Sequence, residues 1–147
     1  MYCSDLKRSF DTAYYALAFP DEGAIQQSRL LRELHFGKQE GLHFDGLPPK
    51  QKAMFSDPDF QAEDGESWHD LRRRAITFMS TLNLGDGRAH LVFTHGGWIA
   101  SYLRIIEQES LMPPNCSVIG LTLKQGSTGE PERVDFKWEF PYIEEDI

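Results

Sequence analysis

Long hydrophobic runs are missing from this chain of 147 residues. No stretch approaches the roughly 20 apolar residues that span a bilayer, so no membrane partner is expected. The opening Met1-Tyr2-Cys3-Ser4-Asp5-Leu6-Lys7-Arg8 has neither the apolar core nor the flanks of a signal peptide. Cysteine is scarce. Cys3 and Cys116 make no disulfide framework and lack metal-ligand spacing, which points to reduced thiols, a cytoplasmic location and no metal. Positive charge is in deficit: the net charge of −8 argues against a nucleic-acid partner. It also means that an anionic ligand must be met by a local cluster of positive groups, since the overall field repels it. Apolar content of 40% and charged content of 26% are those of an ordinary globular protein. The length suits one domain over 1–147.

Against this background one stretch stands out, Leu91-Val92-Phe93-Thr94-His95-Gly96-Gly97-Trp98-Ile99. An apolar, β-rich run stops at a histidine and two glycines, and Trp98, Ile99, Tyr102, Leu103 and Ile106 then follow at helical spacing. This predicts a strand, a tight turn and a helix. In open α/β sheets ligands bind where strands end, and helix N-termini offer free N–H groups to anions.

The rest of the chain alternates in the same way. Residues 1–4 read as the end of a strand, and Leu6, Phe10, Ala13, Tyr14 and Leu17 as a helical face within 5–18. Ser28 to Leu31 is a strand candidate. Residues 41–64, with Pro48, Pro49 and Pro58, read as an irregular excursion holding a helical turn near 50–55. Ser67 and Asp70 have capping-box spacing ahead of Trp68, Leu71, Ala75, Phe78 and Leu82. The helix after His95 is expected to stop near Ser110, before Pro113-Pro114. Residues 118–123 and 134–140 read as an antiparallel pair. The order predicts an α/β fold of three αβα layers, with a mainly parallel sheet and an antiparallel edge pair.

Three strand ends then carry polar groups to one edge: Ser4, Asp5, Lys7 and Arg8; Arg32, Glu33 and His35; and His95. An arginine fork suits a phosphate, and a neighbouring carboxylic acid can protonate a leaving oxygen. Taken singly, Arg8 and Glu33 are residue types more often found solvated than in a site. His95, between a buried strand and a glycine pair, is poorly explained as surface decoration. His43, His69 and His90, and the run Arg72-Arg73-Arg74, read as solvated.

Together these segments resemble the histidine phosphatase (phosphoglycerate mutase-like) superfamily. The segment Ser4-Asp5-Leu6-Lys7-Arg8-Ser9 is similar to the one after that family's second strand. Leu31-Arg32-Glu33-Leu34-His35-Phe36-Gly37 resembles its acid-bearing loop, nearest the α-ribazole phosphatase-like branch. Gly65-Glu66-Ser67 and Thr94-His95-Gly96-Gly97 match two further motifs, in order, over roughly residues 3 to 105. The resemblance implies a phosphomonoesterase that works through a phosphohistidine, without a cofactor, on a small phosphorylated substrate. Arg8, His95 and Gly96 would hold the phosphate, Glu33 would protonate the leaving alcohol, and His95 would stabilise the transferring group. The short excursion at 41–64 favours a phosphatase over a mutase. The family's arginine-histidine-glycine motif, which carries the nucleophile, is not in this sequence; its one His-Gly pair is His95-Gly96, preceded by Thr94. The expectation is an N-terminally truncated member without turnover of its own. The alternatives are a non-catalytic phosphate-binding remnant and a partner-dependent fragment.

Overall fold

The computed structural model describes residues 1–21, 23–42, 46, 48–49, 52, 57, 59–107, 112–126 and 131–139. Three short strands form a parallel sheet in the order β2-β1-β3. They are β1 (Tyr2–Ser4), β2 (Gln26–Ser28) and β3 (Val92–Phe93). Tyr2 stands opposite Gln26 on one side and Val92 on the other. Side chains alternate across a strand, so β1 serves both faces. Cys3 packs with Ala13 and Ile25 under helix α1 (Lys7–Ala16), while Tyr2 joins the larger cluster on the opposite face.

That larger cluster is built by helices α2 (Trp68–Met79) and α3 (Gly96–Glu107). Leu71, Ala75 and Phe78 from α2 meet Trp98 and Tyr102 from α3 over Leu31 and Leu34. Complete burial of a side chain such as Leu71 stabilises the fold by about 1.5–3 kcal/mol. Phe78 sets its ring edge-on to both Tyr2 and Trp98. The expected capping box opens α2: the Ser67 hydroxyl accepts from the Asp70 amide, and the Asp70 carboxylate accepts from the Ser67 amide. The layers are therefore α1, the parallel sheet, and α2 with α3.

Two expectations about strands are corrected. The second strand lies at Gln26–Ser28, and Arg29–Leu31 forms a 3-10 turn whose entry is capped by the Ser28 side chain, which accepts from the Leu30 amide. β2 lies at an edge of the sheet and its two glutamines are exposed, so it carries no hydrophobic signal. The antiparallel pair exists as β4 (Val118–Gln125) with β5 (Pro131–Glu139), but it forms a two-stranded sheet of its own. Leu121 and Leu123 of β4 are half-buried against the main cluster, so packing of side chains, not a ladder to β3, attaches the pair. The helical turn near 50–55 and the end of α3 near Ser110 fall largely outside the described residues. Among those residues, no helix is long and apolar enough to cross a membrane.

Candidate active site

Because β1, β2 and β3 are parallel, their carboxyl ends share one edge, and the three predicted polar groups meet there. Asp5, just past β1, receives two hydrogen bonds of 2.7 Å from the Arg32 guanidinium. Arg32 thereby holds the Asp5 carboxyl below the usual carboxylate range. Thr94, past β3, donates its hydroxyl to the Leu31 carbonyl at 2.8 Å. The Trp98 indole N–H donates to the Leu30 carbonyl at 2.8 Å. The segment that carries Glu33 is thus tied to the ends of both neighbouring strands.

Glu33 sits against the first turn of α3. Its Oε2 accepts from the Gly97 amide at 3.1 Å and its Oε1 from the Leu34 amide at 2.9 Å. The Gly97 amide is one of the N–H groups left free at a helix start, and a carboxylate there is favoured by the helix dipole. A Cβ at position 97 would collide with Glu33 Oε1 and lie 3.1 Å from its Cδ, so glycine lets the two meet with the carboxylate in this place.

His95 is 8% exposed, and its Nε2 is buried without a hydrogen-bond partner among the described residues. Burial, helped by the positive charges of Arg8 and Arg74, pushes its pKa down to about 4. At neutral pH His95 is a neutral imidazole beside two guanidinium groups, an arrangement that an anion would complete. Arg8 is exposed in the first turn of α1, and Gly96 opens α3 next to His95. All four predicted site residues, Arg8, Glu33, His95 and Gly96, therefore lie at one edge of the sheet.

One expectation fails here in an informative way. Arg74 is not a solvated member of a charge run: its side chain is 15% exposed. It donates to the carbonyls of Leu30 (3.0 Å), Arg32 (2.7 Å) and Glu33 (3.1 Å). It also grips both oxygens of Glu66 at 2.9 and 2.7 Å. Glu66 in turn accepts from the His35 amide, and its own amide donates to the His35 carbonyl. Arg74 and Glu66 thus fix the backbone on which Glu33 is mounted. The sequence did carry a signal, since positions 71, 74 and 78 fall on one stripe of the helix and Arg74 interrupts the apolar one. Arg73 is the solvated residue of the run, paired with Asp70 at the surface. His69 is exposed beside Asp59, whereas His90 is half-buried with its ring nitrogen on the Asn83 carbonyl, a second correction. His43 lies outside the described residues.

Gly65 completes the clasp. A Cβ there would lie within 3 Å of the Ala62 Cβ and the Gly37 nitrogen, so the loop after Glu33 and the turn before α2 touch through bare backbone. Among the described residues, no group of three or more His, Cys, Asp and Glu is placed to hold a metal ion.

A parallel sheet with a buried imidazole, a carboxylate and guanidinium groups gathered at its carboxyl edge defines an α/β protein. The chain belongs to the histidine phosphatase superfamily (branch 1), whose family model matches residues 1–130. It is 36% identical over 111 residues to phosphoglycerate mutase-like protein 4 of Arabidopsis thaliana, covering 69% of this chain and 47% of that protein. The chain thus spans about half the length of that curated relative. Its fold is similar to that of TTHB049 from Thermus thermophilus, with a TM-score of 0.65 and 29% identity, over 80% of this chain and 64% of that one. A phosphoglycerate mutase from the same organism matches with a TM-score of 0.59 and 31% identity, over 77% and 61% of the two chains.

Proposed function

We propose that the full protein is a phosphomonoesterase acting on a small phosphate ester, and that this chain supplies its phosphate-binding and acid groups. The observation that carries the reading is the His95 imidazole, buried at a strand end with an unpartnered Nε2, in the field of Arg8 and Arg74 and next to the turn that seats Glu33. Arg8 and the Gly96 amide would hold phosphate oxygens, and His95 would take up a proton to face the added negative charge. Glu33 would serve as the acid that donates a proton to the leaving alcohol. Family membership supports this chemistry; the choice of a phosphatase over a mutase rests on the shortness of the excursion at 41–64.

The nucleophile of the phosphohistidine route is a histidine following an arginine. None of the five histidines in this sequence follows one. The chain alone is therefore expected to bind phosphate without turning over an ester. Titration calorimetry with inorganic phosphate should show saturable binding that Arg8→Ala abolishes, and a generic aryl phosphate should not be hydrolysed above background. A folded sample with no phosphate affinity would remove the binding reading. An acid-labile phosphohistidine on His95 would overturn its supporting role.

A further inference from the structure

The carboxyl-terminal half of α1 builds a second site, about 9 Å of helix rise beyond Arg8 at Tyr14. A cavity of about 260 Å³ opens there, lined by Phe10, Tyr14, Pro20, Asp21, Ile25 and Gln27 among others. Its volume is below that of pockets for drug-sized ligands, so only a small group fits.

The chemistry of the lining has one sign. The rings of Phe10 and Tyr14, both in the lining, lie nearly parallel with centroids 6.0 Å apart, and Phe19, outside the lining, stands edge-on to Tyr14 at 5.2 Å. Ring faces carry negative potential. Asp21 has no cationic side chain paired with it among the described residues, and it lines the same cavity. The last turn of α1 holds no basic residue, so the negative end of the helix dipole is unbalanced there. Ala18 and Phe19 both adopt left-handed backbone angles, φ 54° and 62°, which are unfavourable for residues with a Cβ. That turn brings Phe19 back over Tyr14 and Tyr15 while leaving it 62% exposed. Aromatic faces, a free carboxylate and a helix C-terminus all favour a cation.

We propose that this pocket binds a small quaternary ammonium group. A guanidinium would need partners for five N–H donors, and the named lining side chains offer only the Asp21 carboxylate and the Gln27 amide as good acceptors. A trimethylammonium head has no N–H to satisfy and presents a methylated, charged surface to the rings. The acidic balance of the whole chain adds a favourable long-range field.

The test is a titration of the full chain with choline chloride, followed by NMR and calorimetry, beside the neutral isostere 3,3-dimethylbutan-1-ol. Choline should bind roughly 2- to 30-fold tighter than the alcohol, the range that a cation–π preference supplies. Its shifts should fall on Phe10, Tyr14 and Ile25. Asp21→Asn, a change at an exposed position, should weaken choline several-fold and leave the alcohol and the thermal transition unchanged; Tyr14→Leu should do the same for choline. Equal affinity for the two compounds would overturn the proposal, as would choline binding unaffected by Asp21→Asn or shifts located elsewhere.

Discussion

The amide of Gly97 donates to the carboxylate of Glu33 at 3.1 Å, across 64 residues of sequence, in the space that a Cβ at position 97 would take. The second glycine of the turn is therefore a seat for the acid as well as a flexible link. Its absent side chain and the position of Glu33 are one structural fact.

Replacing Gly97 by alanine should invert the usual helix preference. Gly→Ala within a helix ordinarily stabilises by up to ~1 kcal/mol. Here the added methyl pushes the Glu33 carboxylate off the Gly97 amide, and the expected loss from that hydrogen bond is about 0.5–1.5 kcal/mol. Adding Glu33→Ala removes the obstruction, so a double-mutant cycle by urea denaturation should give a coupling of about 1 kcal/mol or more. A neutral or stabilising single substitution would show that the two groups are not in contact.

Arg74→Ala leaves the Glu66 carboxylate without its cation and takes a donor from three carbonyls, of which, among the described residues, only that of Leu30 keeps another, the Trp98 indole. Removing one partner of a part-buried, charge-assisted hydrogen-bond network costs about 1–3 kcal/mol. Arg73→Ala is the control, since exposed pairs contribute about 0–1 kcal/mol. Denaturation midpoints of the two variants should differ clearly; similar midpoints would return Arg74 to the solvent-exposed run.

Acid should destabilise the fold through His95. Its folded pKa of about 4 lies below the ordinary 6.5. Between those values the unfolded chain binds more protons, so stability falls as pH drops from 6.5 towards 4 and is level above 6.5. The maximum contribution is about 3 kcal/mol. Asp5 acts in a lower window, because its stabilising effect is lost only as pH falls from 3.8 through its depressed folded value. His95→Gln should flatten the dependence between pH 4.5 and 6.5 and leave the lower window intact. An unchanged slope would mean that another group carries it.

Ser67→Ala should lower stability by about 1 kcal/mol through loss of the cap on α2. The melting temperature reads this directly, and no change would show that the capping box is dispensable.

Much of this organisation was legible in the sequence where a pattern has a physical cause that acts locally. The capping box at Ser67 and the face of α2 follow from hydrogen bonding and helical period. The turn at His95 follows from an apolar run broken by glycines. β2 was hidden because an edge strand of exposed glutamines has no apolar alternation to detect. Arg74 was marked only by its place on the apolar stripe of α2; its partners, three backbone carbonyls and the Glu66 carboxylate, are set by the fold and by no local motif. Of the two carboxylates that organise the acid loop, Glu33 could be found from its family motif. Glu66 gained its role only when the fold placed it under Arg74.

The pairing of β1 with strands on both sides has a consequence for the chain as it is made. Tyr2 finds Gln26 early, but Val92 leaves the ribosome roughly 3–13 s later at typical rates of synthesis. Of the groups that cover Tyr2 on its face of the sheet, Phe78 precedes Val92 in the chain and Trp98 follows it. An isolated two-stranded ribbon is marginal in water. The second side of β1 is thus completed only by the strand that carries the His95 turn, so sheet closure and placement of that turn are one event.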